Sequence, residues 1–73
     1  GYQVSECEAG QQKNIQLADG SIVYLNGDSK LKFKTDFEES VRKVFMQGEA
    51  FFDVARNEKK PFVIGLEKAD VKD

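Results

Sequence analysis

The sequence predicts an all-β module of about six or seven short strands, arranged as an antiparallel, hairpin-rich sheet or as a sandwich-like pair of sheets. Short apolar runs recur roughly every eight to twelve positions, and turn residues such as Gly, Asn and Asp separate them. Within the runs, apolar and polar residues alternate with the period of two that a strand requires. The chain has 73 residues, so we expect one domain, residues 1–73, with a small core.

The first half of the chain contains three predicted strands. Lys13–Leu17 is the first, and Ala18-Asp19-Gly20-Ser21 supplies a turn, because Asp bonds nearby amides and Gly accepts a positive φ. The second strand, Ser21–Leu25, places Val and Leu on one face and Ile and Tyr on the other. Asn26-Gly27 is the dipeptide most typical of a two-residue hairpin. It predicts a hairpin to the third strand, Lys30–Lys34, whose Leu and Phe alternate with lysines.

The middle of the chain is predicted to be a loop followed by two more strands. Residues 35–39 are polar, and we expect Phe37 to pack back over the sheet edge. The strands Ser40–Gln47 and Glu49–Ala55 flank Gly48, which indicates a bulge or a close approach of the backbone. The second of them is expected to point Phe52 and Val54 inward. A helix over residues 36–46 is an alternative, because three apolar residues there have helical spacing.

The end of the chain contains one further predicted strand. Pro61 can open a strand, because the first residue needs no ladder donor, and residues 62–65 follow it. The tail from Leu66 onward has weak β character through Ala69 and Val71.

The composition excludes several functions. With no His, the usual general base is missing, so we expect no enzyme activity. A single thiol cannot close an internal disulfide or build a zinc site, and neither a cofactor nor a metal is predicted. Cys7 is interpreted as a small hydrophobic residue between Glu6 and Glu8. A net charge of −2 with interspersed signs argues against nucleic acid. The uncharged runs are too short to span a bilayer, so this segment is not expected to contact the membrane.

One group of candidate site residues consists of turn and bulge determinants. They are Asp19, Gly20, Asn26, Gly27, Gly48 and Glu49. If Glu49 is buried, it needs a base such as Arg42, or its pKa rises; otherwise it accepts backbone amides or lies on the surface. A calcium site made by Asp19, Asn26 and Asp28 is an alternative, although too few oxygens are apparent.

Three aromatic residues are candidates for a partner surface. Tyr24, Phe45 and Phe51 fall on the strand face opposite the main apolar set. Either a second layer covers them as core, or their face docks a partner. A small-ligand function, with Tyr24 and Phe51 as platforms for a carbohydrate, is the alternative to a protein partner.

Four segments, in order, resemble the FecR family. Its pattern LpDGSxVxLN is similar to residues 17–26, LADGSIVYLN, and its SxLxY is similar to residues 29–33, SKLKF. The pattern RxVxLxGEAyFxV is similar to residues 42–54, RKVFMQGEAFFDV, and PFxV is similar to residues 61–64, PFVI. Family members continue with an LGTxFNV segment about where this chain ends, so we expect a module truncated from a larger β domain.

The resemblance implies a regulatory role. FecR-like proteins are inner-membrane regulators of extracytoplasmic-function sigma factors. Their periplasmic part contacts the signalling domain of a TonB-dependent outer-membrane receptor, in iron or glycan uptake systems. The implied location is therefore the periplasm. The implied partners are that signalling domain and, through a cytoplasmic segment absent from this sequence, a sigma factor. Open sheet edges could also allow self-association.

Overall fold

A computed structural model describes residues 1–67 and contains seven strands. In chain order these are β1 (Tyr2–Cys7), β2 (Lys13–Gln16), β3 (Ile22–Leu25), β4 (Ser29–Lys34), β5 (Arg42–Gln47), β6 (Ala50–Asp53) and β7 (Phe62–Leu66). The weak strand expected through Ala69 and Val71 lies outside the described residues.

The strands form two sheets. One has four strands in the order β1-β4-β5-β7, and the other has three in the order β2-β3-β6. The strand pairs are antiparallel except β5 with β7, which run parallel. The prediction of a sandwich-like, all-β fold is confirmed. The parallel pair arises because residues 48–61, which include β6, cross to the other sheet before the chain returns to the edge beside β5.

The core lies between the sheets and draws on both. Val23 and Leu25 of β3 are fully buried, as are Leu31 of β4 and Val44 of β5. The same cluster contains Ile15, Leu17, Met46 and Cys7. Alternation along β3, β4 and β5 therefore reports their inner faces correctly, and Cys7 occupies the position of a small core residue.

The two predicted turns have different outcomes. Between β2 and β3, Gly20 has a φ of +89° and its N–H donates to the Leu17 carbonyl at 3.1 Å, as a tight turn requires. The hairpin predicted at Asn26-Gly27 is wrong, because β3 and β4 belong to different sheets. Of the two residues, neither has a positive φ, whereas Asp28 has a φ of +61°. The connection crosses from one sheet to the other.

Strand β1 was not predicted. Its inward positions are Gln3, Ser5 and Cys7, opposite Phe33, Leu31 and Ser29 of β4. Polar residues on an inward face weaken the alternation on which the prediction depends. Only pairing with the lysine-rich β4 makes this segment a strand.

Other boundaries differ by a few residues. Strand β5 begins at Arg42, and β6 ends at Asp53, so that Val54 is 38% exposed and does not point into the core. The helical alternative for residues 36–46 is wrong, because residues 42–46 belong to β5. Phe37 packs against the core, with its ring centroid 6.1 Å from that of Phe62.

Candidate functional site

A buried arginine at the start of β5 organises the largest polar cluster. The Arg42 side chain is 4% exposed. Its Nη1 donates to Asp19 Oδ2 and to the Ala55 carbonyl, each at 2.7 Å, and its Nε donates to the Lys60 carbonyl at 2.8 Å. Its Nη2 donates to the Asn57 carbonyl at 3.4 Å. One guanidinium therefore holds the β2–β3 turn and the β6–β7 connection together.

Ser21 extends this cluster. Its N–H donates to Asp19 Oδ1 at 2.9 Å and its hydroxyl donates to Asp19 Oδ2 at 2.8 Å. The Ser21 hydroxyl oxygen accepts from the Ala55 N–H at 2.9 Å. Because Ser21 is only 1% exposed, these bonds satisfy polar groups that water cannot reach. The Asp-Gly-Ser segment thus both forms the turn and fastens the distant loop.

The charge state of Asp19 follows from these contacts. Partial burial by itself would raise the pKa of Asp19, but the hydrogen bond from Arg42, reinforced by those from Ser21, lowers it below its ordinary value. Every group in the cluster is engaged by its neighbours. Its chemistry is that of a structural clamp, in which a carboxylate and a guanidinium position two loops.

The lowered pKa predicts how stability depends on pH. The pKa of Asp in an unfolded chain is about 4, so ionised Asp19 stabilises the fold above that pH. The contribution is lost as pH falls through the lower, folded-state pKa. We expect Asp19→Asn to destabilise the protein by about 2 kcal/mol at neutral pH and by less below pH ~4.

Urea unfolding of both proteins at neutral and acidic pH measures this difference. Asp53→Asn, which changes an exposed Asp, is the matched control. The difference in stability between this variant and wild type should not change between neutral and acidic pH. A difference between wild type and Asp19→Asn that stays constant over this range would contradict the role assigned to Asp19.

A second cluster lies in the β5–β6 connection. Gly48 has a φ of +98°, and a Cβ there would lie 2.9 Å from Ser29 Cα. The Ser29 hydroxyl accepts from the Glu49 N–H at 2.8 Å, and Asn26 Nδ2 donates to Glu49 Oε1 at 2.9 Å. Glu49 is exposed. The ion pair considered for it with Arg42 does not form, because Arg42 binds Asp19.

The remaining predicted turn residue is placed by packing. A Cβ on Gly27 would lie 2.9 Å from the Gly10 nitrogen and 3.0 Å from the Glu8 carbonyl oxygen. Gly27 is therefore needed for close approach to the β1–β2 connection and not for a positive φ. Asp19 and Asn26 lie at opposite ends of β3, so the calcium alternative is wrong. Within residues 1–67, no group of acidic, His or Cys side chains is arranged to hold a metal.

The three candidate aromatic residues do not share one surface. Tyr24 and Phe51 are cross-strand partners on the outer face of the three-stranded sheet, with ring centroids 5.9 Å apart. Phe45 lies on the outer face of the other sheet, edge-on to Tyr2 and over Gly65, where a Cβ would lie 2.7 Å from the ring. The expectation of one joint aromatic face is wrong, because the two sheets of a sandwich turn their outer faces apart.

Arg42 is the functional residue that sequence reasoning undervalues. The sequence suggests it only as a partner for Glu49, yet it lies on the same strand parity as the buried Val44 and Met46. An arginine on the inward face of a strand must be paired. That parity is the available signal, although it does not identify Asp19 as the partner.

These features define a class: a small β-sandwich module whose motif residues hold turns and loops together. Comparison with known proteins assigns the family. Residues 3–73 match the family described as "FecR protein", and the chain belongs to the FecR family. The match includes all four segments on which the sequence resemblance rests, and membership supports a regulatory role.

Two solved structures are similar to the chain. Both are described as "a putative anti-sigma factor" from Parabacteroides distasonis ATCC 8503. The 2.50 Å structure is 37% identical with a TM-score of 0.88, and 89% of this chain covers 30% of that one. The 1.65 Å structure is 38% identical with a TM-score of 0.86, and 88% of this chain covers 30% of that one. The chain thus spans less than a third of these proteins. Curated proteins gave no significant match.

Residues 1–67 contain no candidate transmembrane helix.

Proposed function

We propose that this chain is a non-catalytic periplasmic signal-relay module of a FecR-like anti-sigma regulator. In this role it transmits the state of a TonB-dependent outer-membrane receptor to an extracytoplasmic-function sigma factor. Its own direct partner is the signalling domain of that receptor, and the sigma factor is bound by another segment of the regulator. The family match over residues 3–73 supports this proposal. The internal use of the motif residues, in clusters that hold loops, agrees with a role without catalysis.

Within residues 1–67, the surface best suited to a protein partner is the outer edge of β7. This strand ends the four-stranded sheet and has no charged residue between Phe62 and Leu66. Edge strands are normally protected by charges or by a covering element. Leu66 is 78% exposed and Ile64 is 39% exposed, although both share the parity of the inward-facing Val44 and Met46.

Unequal sheets explain this exposure. The three-stranded sheet ends at β6, which contacts the start of β7 through Phe52 and Phe62, whose centroids are 6.0 Å apart. The far end of β7 lacks this contact. An extended segment of the receptor domain could bond to the open edge and cover Ile64 and Leu66, which is the strand-addition mode of peptide recognition.

Titration of the isotopically labelled chain with the signalling domain of a co-encoded TonB-dependent receptor tests this proposal by NMR. We expect shift changes concentrated on β7. Leu66→Lys should weaken binding by roughly tenfold or more, because a charge enters an apolar contact. Val4→Lys is the matched control, since Val4 is an exposed residue of β1 at the opposite edge of the same sheet.

The outcomes are separable. No shift change at high micromolar receptor domain would contradict direct docking by this part of the regulator. Equal weakening by both lysine variants would reject the β7 edge as the contact. Concentration-dependent shifts on β7 in the absence of the receptor domain, abolished by Leu66→Lys, would identify the edge as a self-association surface instead.

A further inference from the structure

The outer face of the three-stranded sheet presents two aromatic rings side by side. Tyr24 of β3 and Phe51 of β6 are direct register partners, and Asn14 of β2 lies opposite Tyr24 on its other side. One row across the sheet therefore places the amide of Asn14, the phenol of Tyr24 and the phenyl ring of Phe51 side by side. Phe51 is 67% exposed and Tyr24 is 38% exposed. The next row contains Gln16, Ile22 and Asp53.

This face contains a shallow cavity, in which polar side chains surround the two rings. Its volume is about 400 Å³, and it is lined by Gln12, Asn14, Tyr24, Leu25, Asn26, Phe51 and Asp53. None of these described residues is basic. The hydrogen bonds within residues 1–67 engage Asn26, which donates to Glu49, and leave the side chains of Asn14, Tyr24 and Asp53 free. One amide, a phenol and a carboxylate can thus face a ligand around the rings.

Support of the fold does not account for Phe51. Phe45, on the other sheet, covers the bare backbone of Gly65 and is half-buried, so its ring has a structural use. The Phe51 ring contacts Tyr24 at a tilt of 53° and is otherwise turned to solvent on an edge strand. An exposed aromatic ring beside uncommitted polar groups is the composition of a binding site.

The chemistry of the face selects a neutral polyhydroxylated ligand. Flat rings pack against the apolar C–H face of a sugar, while amides and a carboxylate exchange hydrogen bonds with its hydroxyl groups. Anionic ligands are disfavoured, because Asp53 is present and no cation lines the cavity. The cavity volume of about 400 Å³ is within the range of small-molecule sites, roughly 300–1,000 Å³.

We propose that the Tyr24–Phe51 face binds a neutral oligosaccharide, with both rings as the stacking platform and with Asn14 and Asp53 as hydrogen-bonding groups. This surface is on the other sheet from the β7 edge. The inference therefore does not depend on the receptor-docking proposal, and either can fail without the other.

NMR titration of the labelled chain with neutral oligosaccharides tests this inference. The probes are hexasaccharides of α-linked glucose, β-linked glucose, β-linked xylose and β-linked mannose, each taken to about 10 mM, which detects weak binding. We expect at least one to shift the signals of Asn14, Tyr24, Phe51 and Asp53 together. Phe51→Ala should weaken that binding roughly tenfold or more, as loss of a stacking ring does, and should leave the fold intact because the ring is exposed.

Tyr2→Ala is the matched control, because Tyr2 is an exposed aromatic residue on the outer face of the other sheet, and it should leave saccharide binding unchanged. An oligogalacturonate of similar length should bind more weakly than the neutral probes. Absence of shifts at the platform with all four neutral saccharides would overturn the proposal. So would binding that Phe51→Ala does not weaken, or shifts of this face by the receptor domain alone, which would make it a protein-docking surface.

Discussion

Replacing Arg42 with alanine is expected to remove most of the stability of the protein. The substitution leaves Asp19 without its cation in a half-buried site and removes the donors to the Ala55 and Lys60 carbonyls. Breaking a buried ion pair from one side costs about 3–5 kcal/mol. The total stability of a module of this size is of the order of 5 kcal/mol. Urea unfolding followed by far-ultraviolet circular dichroism measures the loss.

Two further variants make this test specific. Lys43→Ala changes the adjacent cation, which is exposed and has its Nζ 5.0 Å from the Phe45 ring centroid on the outer face. It should cost about 0.5 kcal/mol. Arg42→Lys keeps the positive charge but loses the planar fork of donors, and should cost about 2–3 kcal/mol. If Arg42→Ala were no more destabilising than Lys43→Ala, the cluster would not be the clamp that its geometry indicates.

Replacing Gly48 with alanine has the second largest expected effect. The backbone at Gly48 is left-handed, which costs an L-residue about 1–2 kcal/mol. The new Cβ would also overlap Ser29, whose Cα would lie 2.9 Å away. Relief of that overlap separates β4 from the β5–β6 connection and breaks the bond from the Glu49 N–H to Ser29. We expect a total loss of about 4 kcal/mol in urea unfolding.

Gly10→Ala separates the two causes. Gly10 has a φ of +78°, and a Cβ there would meet no atom within 4 Å. This variant therefore bears the conformational cost alone, about 1–2 kcal/mol. Equal losses for the two variants would show that the contact between Gly48 and Ser29 contributes nothing, and that only the backbone conformation requires glycine.

Local features of this protein could be predicted because they depend on neighbouring residues. The alternation in β3, β4 and β5 identified the buried faces of Val23, Leu31 and Val44, since side chains of a strand point to opposite sides in turn. Asp19 and Gly20 indicated the β2–β3 turn, because Asp bonds nearby amides and Gly accepts a positive φ. The four family segments added the regulatory role, because their order and spacing are specific even where each segment alone is not.

Contacts between distant segments were decided by the tertiary structure alone. Asn26-Gly27 has the composition of a hairpin turn, yet β3 and β4 separate into two sheets because each finds better partners elsewhere: β2 and β6 for one, β1 and β5 for the other. Strand β1 has too little alternation to be recognised without β4.

The pairing of Arg42 with Asp19, 23 positions apart, likewise depends on how the sheets stack. Thus the sequence determined by itself the inward faces of β3, β4 and β5 and the position of the tight turn at Asp19-Gly20. Only the fold decided which strands pair, which carboxylate Arg42 neutralises and which aromatic rings meet. The burial of a side chain follows from the local periodicity of its strand. Which strands and side chains contact each other depends instead on how segments that are distant in the sequence pack together.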